Sequence, residues 1–353
     1  MLVAKWQRQL VYAADVASGR VVISREELRC PSCNKPVILK KGDLKSAHFA
    51  HQKHSGCQPF SEGETVEHNT LKKTLFDWSD QQFALESYLP NLHQRPDLLS
   101  AHLAIEIQCS FLAQKRMIER TTNYVAHDYQ VWWLLGEKLA PKSHKKLTRL
   151  QRTFCGYHSQ WGCYFWCLDS ETREITLCYQ VIEYPNGRLT FQKKRWTFKQ
   201  ESLAAIYSVT TSVTTKQVRG QTTSAERKYF WGNYQRIIQQ GILRQETQII
   251  KLQKECYRRR KNLQTLTQWM YRPSAYYLFY GVRLLACRLC FEELVKQRRR
   301  LSKNEANELY KIWCRQTTMK WLFPLISQQK IQKLLFLECI QLTQVTIVRN
   351  FGK

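Results

Sequence analysis

Asp97, Glu106 and Gln108 form the first constellation able to do chemistry. Asp97 lies in the turn Arg95-Pro96-Asp97, and Glu106-Ile107-Gln108 follows after eight intervening residues. On a β-strand, side chains alternate between faces, so Glu106 and Gln108 point to the same side. An aspartate at the start of the preceding strand then lies beside Glu106. Two carboxylates meeting at one edge repel each other unless a divalent cation sits between them, and an all-oxygen donor set suits magnesium or manganese. Such an ion polarises a phosphodiester and generates hydroxide from bound water. Upstream, Glu64, His68 and Lys72 fall at i, i+4 and i+8 and share one helix face; Glu67 lies on another. Downstream, Arg120 and Tyr124 share a face and are placed to contact the scissile phosphate. A surface salt link and a packed tyrosine fit that spacing equally well.

A second constellation precedes it. Cys30-Pro-Ser-Cys33 presents two thiolates from one turn, and His48-Phe-Ala-His51 follows. Paired thiolates and imidazoles complete a tetrahedral zinc site. The His-x2-His half is tighter than the usual ligand spacing, so His54 and Cys57 are alternative ligands to His51. Buried thiols in a hairpin with surface histidines are the competing reading. A further Cys-x2-Cys, Cys287 to Cys290, sits in an apolar helical pattern with no histidine nearby, and reads as buried thiols.

The elements that must position these residues follow from periodicity and turn chemistry. Leu2 to Ala14 alternates, Ser18-Gly19 marks a turn, and Val21–Ile23 predicts a strand. The acidic SEGET opening at 61–65 predicts a helix start, with Leu71, Leu75 and Trp78 at helical spacing. Pro96–Leu99 and Leu103–Cys109 predict a hairpin. A helix over 113–127 leads to VWWLLG, a buried strand ended by Gly136. Three strands with turns at Asp169-Ser170 and Pro185-Asn186-Gly187 predict a β-meander between Tyr157 and Phe198. Beyond a Ser/Thr-rich connection, the rest reads as basic helices.

Charge divides the chain. Lys and Arg number 55 against 28 Asp and Glu, a net charge of +27. All nine histidines lie at or before His158, and no aspartate follows Asp169. From Gln221 onward there are 25 Lys/Arg against 8 Glu. Such an excess implies a polyanionic partner. The run Arg258-Arg259-Arg260-Lys261 suits phosphates, and Trp231, Tyr234, Trp269, Tyr271, Tyr276 and Tyr277 are aromatic faces for stacking unpaired bases. That pattern favours single-stranded or branched DNA over sequence-specific duplex reading. No stretch approaches the ~20 apolar residues of a membrane span. Thirteen cysteines in no small-scaffold spacing, with no export signal, predict a reducing, cytoplasmic setting.

The Asp97…Glu106-x-Gln108 pattern resembles the PD-(D/E)XK nucleases, with Gln108 where lysine is usual. Glutamine can hydrogen-bond but cannot stabilise transition-state charge as lysine would, so an inactive nuclease fold serving as a DNA-binding scaffold is the alternative function. The strings CPSCNKPVILKKGDLKSAHFAH, SEGETVEH, QRPDLL, AIEIQCS, ERTTNY and VWWLLG appear in order over residues 1–170, and together resemble the competence protein CoiA family. That resemblance implies a competence factor acting on internalised single-stranded or branched DNA during transformation, alongside a RecA-type recombinase. It also implies a metal-dependent deoxyribonuclease site at Asp97, Glu106 and Gln108, with Glu64 contributed by the first helix. The expected fold is an α/β restriction-endonuclease-like core with a small N-terminal zinc-knuckle-like β unit and a basic, mainly helical C-terminal region. The expected segments are 1–60, 61–155, 156–220 and 221–353.

Overall fold

The computed structural model describes residues 1–7, 9–23, 28–42, 45–51, 65–80, 82–212, 224–296 and 298–348. It is a mixed α/β structure with a central sheet and a helical C-terminal region. The first strands are β1 (Val3–Trp6), β2 (Gln9–Tyr12), β3 (Leu28–Arg29), β4 (Val37–Gly42) and β5 (Lys45–His51), with the short helix α1 (Ala13–Ala17) after β2. They make a three-stranded sheet, β2-β1-β3, and a β4-β5 hairpin around a core of Ala4, Val11, Leu28, Val37 and Phe49. The strand predicted at Val21–Ile23 does not form. Those residues pack Val21 and Ile23 against the core as a loop, and the ladder position beside β1 is taken by β3.

Helix α2 (Val66–Trp78) starts where Thr65 accepts a bond from the His68 backbone N–H, and it buries Leu71, Leu75 and Trp78. Strands β6 (Ala84–Leu85), β7 (Leu98–Leu99) and β8 (Leu103–Gln108) follow. Every residue of β8 is buried, as befits a central strand. Helix α3 (Gln114–Ala126) carries the chain to β9 (Gln130–Leu135), which pairs parallel with β8 from Leu103↔Gln130 to Gln108↔Leu135. A parallel neighbour requires such a crossover. The predicted hairpin, helix and buried strand are all present.

The remaining elements are α4 (Arg149–Thr153), β10 (Gly156–His158), β11 (Gly162–Leu168), β12 (Ile175–Glu183), β13 (Leu189–Trp196), α5 (Leu203–Ser208), α6 (Ser224–Leu243), α7 (Thr247–Arg258), α8 (Tyr277–Tyr280), α9 (Arg283–Val295), β14 (Arg300–Ser302), α10 (Lys303–Gln316), α11 (Gln328–Thr343) and β15 (Thr346–Val348). The meander strands extend the central sheet, whose order is β13-β12-β11-β9-β8-β7-β6. Trp132 meets Trp166 edge-to-face and Trp166 packs tilted against Trp196, with ring centroids 5.2 Å and 5.5 Å apart.

The chain forms two compact units: one of residues 1–140, 165–178 and 193–213, the other of 141–164, 179–192 and 214–353. In the second unit, Phe230, Tyr234, Tyr271 and Tyr277 are buried in mutual edge-to-face contact. Three of the tyrosines and tryptophans expected to stack on bases, Tyr234, Tyr271 and Tyr277, are therefore core residues. Packing 0–5% exposed rings together outweighs any surface role. Trp231 is exposed, and Trp269 and Tyr276 are partly so. Fully buried Arg288 donates to the carbonyls of Met270 and Arg272 and pairs with Glu338 of α11. Cys287 and Cys290 are buried in α9; burial pushes their thiols up to about 12 and about 11. Among the described residues, the cysteines are free thiols, and no helix is long and apolar enough to cross a membrane.

Candidate metal centre

The antiparallel register Leu98↔Ile105 and Leu99↔Ala104, extended by one step, sets Asp97 across from Glu106. The Asp97 carboxylate is fixed at that point. Its Oδ2 accepts the Ile107 backbone N–H at 2.8 Å and lies 3.0 Å from His68 Nε2. Its Oδ1 lies 3.8 Å from Lys72 Nζ. Burial alone would raise the Asp97 pKa, but the His68 contact, the Lys72 charge and the Ile107 N–H outweigh it and bring the carboxyl down to about 2. Asp97 is an anion at any neutral pH.

Glu106, on β8, is almost fully buried. Its Oε1 accepts Tyr124 Oη at 2.6 Å and the Arg120 guanidinium. Arg120 and Tyr124 sit on the buried face of α3 with Met117. They were expected at a phosphate; the structure instead spends both on one oxygen of Glu106, because that inward-facing carboxylate needs donors. Burial pushes Glu106 up to about 7, Arg120 opposes the rise, and the neighbouring charge of Asp97 adds to it. The two carboxylates therefore lie within each other's field.

Lys72 is fully buried and bonds Glu86 Oε1 at 2.5 Å. Glu86 is a site residue that sequence reasoning missed. It lies in a turn at φ 50°, belongs to no motif, and also accepts the Leu2 backbone N–H at 2.8 Å. Burial opposes its ionisation, but Lys72, Arg95 and the N-terminus hold it well below the ordinary range. His68 and Lys72 thus do share the face of α2 that meets Asp97. Glu64 lies outside the described residues. Glu67 accepts the Glu137 backbone N–H at 2.9 Å, and it and Asp97 both add to burial in pushing the Cys109 thiol up to about 12. Gln108 is buried, but its Nε2 donates to the Ser110 carbonyl at 3.0 Å.

A separate cluster gathers in the N-terminal strands. The ligand atoms of Cys30, Cys33 and His51 lie within 4.8 Å of one another, with Cys33 Sγ 3.2 Å from His51 Nε2. The turn closes through Asn34 N to Cys30 O and Cys30 N to Lys35 O, with Asn34 in the left-handed conformation at φ 57°. Burial, aided by Arg95 and the amino terminus, lowers the His51 pKa. That keeps the ring neutral, as a metal ligand must be. His48, three positions back on β5, alternates to the opposite face and is not part of this cluster. His54 and Cys57 lie outside the described residues. Two sulfurs and one imidazole form a donor set able to hold a metal ion.

Of the basic run, Arg259 pairs with Glu293 at 2.8 Å and Lys261 pairs with Glu292. Arg258 and Arg260 are exposed.

Comparison with known proteins bears on both sites. The family model for the nuclease-like domain of competence protein CoiA matches residues 64–211, and that for the CoiA N-terminal domain matches residues 19–60. Competence protein CoiA of Bacillus subtilis (strain 168) is 26% identical over 164 residues. The chain belongs to the competence protein CoiA family. The match to the Bacillus CoiA covers 44% of this chain and 41% of that protein, so the chain spans less than half of that relative. No solved structure matches. The CoiA nuclease-like segment contains His68, Lys72, Glu86, Asp97, Glu106, Arg120 and Tyr124, and the CoiA N-terminal segment contains Cys30, Cys33 and His51. Helices α6 to α11 lie beyond both.

Proposed function

We propose that this chain is a competence-associated, metal-dependent deoxyribonuclease acting on internalised single-stranded or branched DNA. The observation that carries the reading is the placement of Asp97 opposite Glu106, each anchored by its own helix and each within the other's field. Two carboxylates facing each other across the β7–β8 pair suit a divalent cation, magnesium or manganese. When bound, such an ion supplies Lewis-acid activation of a phosphodiester and of water. Asp97 and Glu106 are the ligands this chain offers. His68 orients Asp97, and Arg120 and Tyr124 fix Glu106 through Oε1, so neither carboxylate must reorganise to bind. Gln108 is turned toward Ser110, and Lys72, 3.8 Å from Asp97 Oδ1, takes the part that lysine plays elsewhere in the PD-(D/E)XK motif. A restriction-endonuclease-like core agrees with the α2, β-hairpin, α3, β9 order.

The Cys30-Cys33-His51 cluster is proposed as a structural zinc site. A Cys30→Ser/Cys33→Ser protein is expected to lose about one equivalent of zinc by metal analysis; equal zinc in the two proteins contradicts it. A cytoplasmic location accords with free thiols.

The Gln108–Ser110 bond favours a second reading: a nuclease fold without turnover that clamps DNA or loads a RecA-type recombinase. Labelled single-stranded, duplex and branched DNA incubated with magnesium, manganese or EDTA separates the two. Metal-dependent cleavage lost in Asp97→Ala and Glu106→Ala supports the nuclease; intact DNA held in a salt-sensitive complex supports the scaffold.

A further inference from the structure

The second compact unit carries a groove that neither family match covers. Two adjoining cavities, about 980 Å3 and about 860 Å3, share Arg258, Arg259, Glu293, Lys296 and Arg298 on their walls. Those five residues stand where the two cavities adjoin, and the pair makes one groove. It runs from the end of α10, past the C-terminal ends of α7 and α9, to the turn between α11 and β15. Lys251 and Arg283 add positive charge at one end, and Arg299 at the other.

The acidic residues on these walls are largely spent. Glu293 is engaged by Arg259 and Glu292 by Lys261, so their charges cancel locally. Arg258, Lys296, Arg298 and Arg299 stay exposed. Arg298 meets Glu305 only across 3.6 Å with both side chains half-exposed, a pairing worth little in water and readily exchanged. Lys296 ends α9 at φ 42° and lines both cavities. Beneath the cations lies an apolar floor of Leu252 and Leu309 in one cavity and Leu342 and Val345 in the other. Partly exposed Trp269 stands on the wall of the second cavity.

A cationic channel over an apolar floor with an aromatic wall is how proteins hold unpaired strands: phosphates meet the charge while bases turn inward and stack. A duplex would offer only phosphates to such a channel and leave the floor and Trp269 unused. We propose that this groove binds single-stranded nucleic acid, with Arg258, Lys296 and Arg298 on consecutive phosphates and Trp269 stacking on a base. It rests on the reading above only for the class of partner; it needs no metal and no cleavage.

The test uses the full chain in EDTA, with a labelled oligothymidylate followed by fluorescence anisotropy across a salt series. Heparin, a duplex of equal length and phosphatidylserine vesicles serve as comparison probes. The triple variant Arg258→Gln/Lys296→Gln/Arg298→Gln removes three phosphate contacts. It should weaken oligothymidylate binding at least about tenfold and flatten the log–log salt slope by about 2. Its melting curve should match the unmodified protein, since all three side chains are exposed. Trp269→Ala should weaken oligothymidylate about fivefold or more while leaving heparin binding unchanged. A folded triple variant with unchanged affinity and salt slope overturns the proposal. So does loss of vesicle binding with oligothymidylate binding intact, which assigns the groove to lipid. The two readings fail separately. Asp97→Asn/Glu106→Gln should still bind oligothymidylate normally in EDTA, and loss of binding in the triple variant stands even if no form of the protein cleaves DNA.

Discussion

A carboxylate buried as deeply as Glu106 ionises only where donors reach it, and Tyr124 and Arg120 are those donors. With its pKa raised to about 7, Glu106 is protonated in the folded chain at pH values where an unfolded chain would already be ionised. Its contribution to stability is therefore fully present below the ordinary glutamate range and is lost as pH rises through about 7. Metal ligation has the opposite dependence, because the ion needs the carboxylate. Magnesium-dependent cleavage should rise with pH through neutrality, and Tyr124→Phe, which removes a donor to the charged form, should move that rise to higher pH. A pH–rate profile of both proteins checks this; superimposable profiles contradict it. Lys72 and Glu86 make a second prediction. Their side chains are 1% and 2% exposed, so Lys72→Met removes the charge that meets a buried carboxylate at closest range and should cost about 3 kcal/mol. Replacing Glu86 with Leu in the same protein should restore part of that. Urea titrations of the single and double variants measure both.

At the level of elements, the segments around the site were legible and the roles of their side chains only partly so. Alternation and turn residues located the Asp97 hairpin, and helical spacing located α3 to within a residue at each end. Spacing states which residues share a face but not whether that face looks inward, so Arg120 and Tyr124 read as phosphate contacts. Alternation likewise put Gln108 beside Glu106, but a side chain that folds back on Ser110 leaves no sequence trace. Glu86 was invisible because a single glutamate in a turn has no period. Gly136, read as a strand terminator, is also a point of close approach. A Cβ there would stand 2.6 Å from Glu67 Oε1 and 2.7 Å from Cys109 Sγ. Gly136→Ala should detach Glu67 from the Glu137 N–H and destabilise the fold by about 1–3 kcal/mol. A thermal melt measures this, and an unchanged melting temperature contradicts it.

For the whole molecule, composition carried the broad division. Histidines and aspartates confined to the front, and cations dominating the back, agree with a metal-capable cluster of Cys30, Cys33 and His51 in the first unit and cationic cavities in the second. Composition could not say which aromatics line a surface, and Tyr234, Tyr271 and Tyr277 proved to hold the helical core together. The extension of the central sheet by β11 to β13 was equally hidden, since it depends on one parallel bridge, Cys167↔Leu135, between distant segments. The claim beneath the nuclease assignment is that Asp97 and Glu106 share one divalent ion. Crystals soaked in manganese and measured at its absorption edge test it most directly. A single anomalous peak bridging the two carboxylates, at about 2.0–2.2 Å from one oxygen of each, is expected. Empty density between them at a manganese concentration that supports cleavage contradicts it.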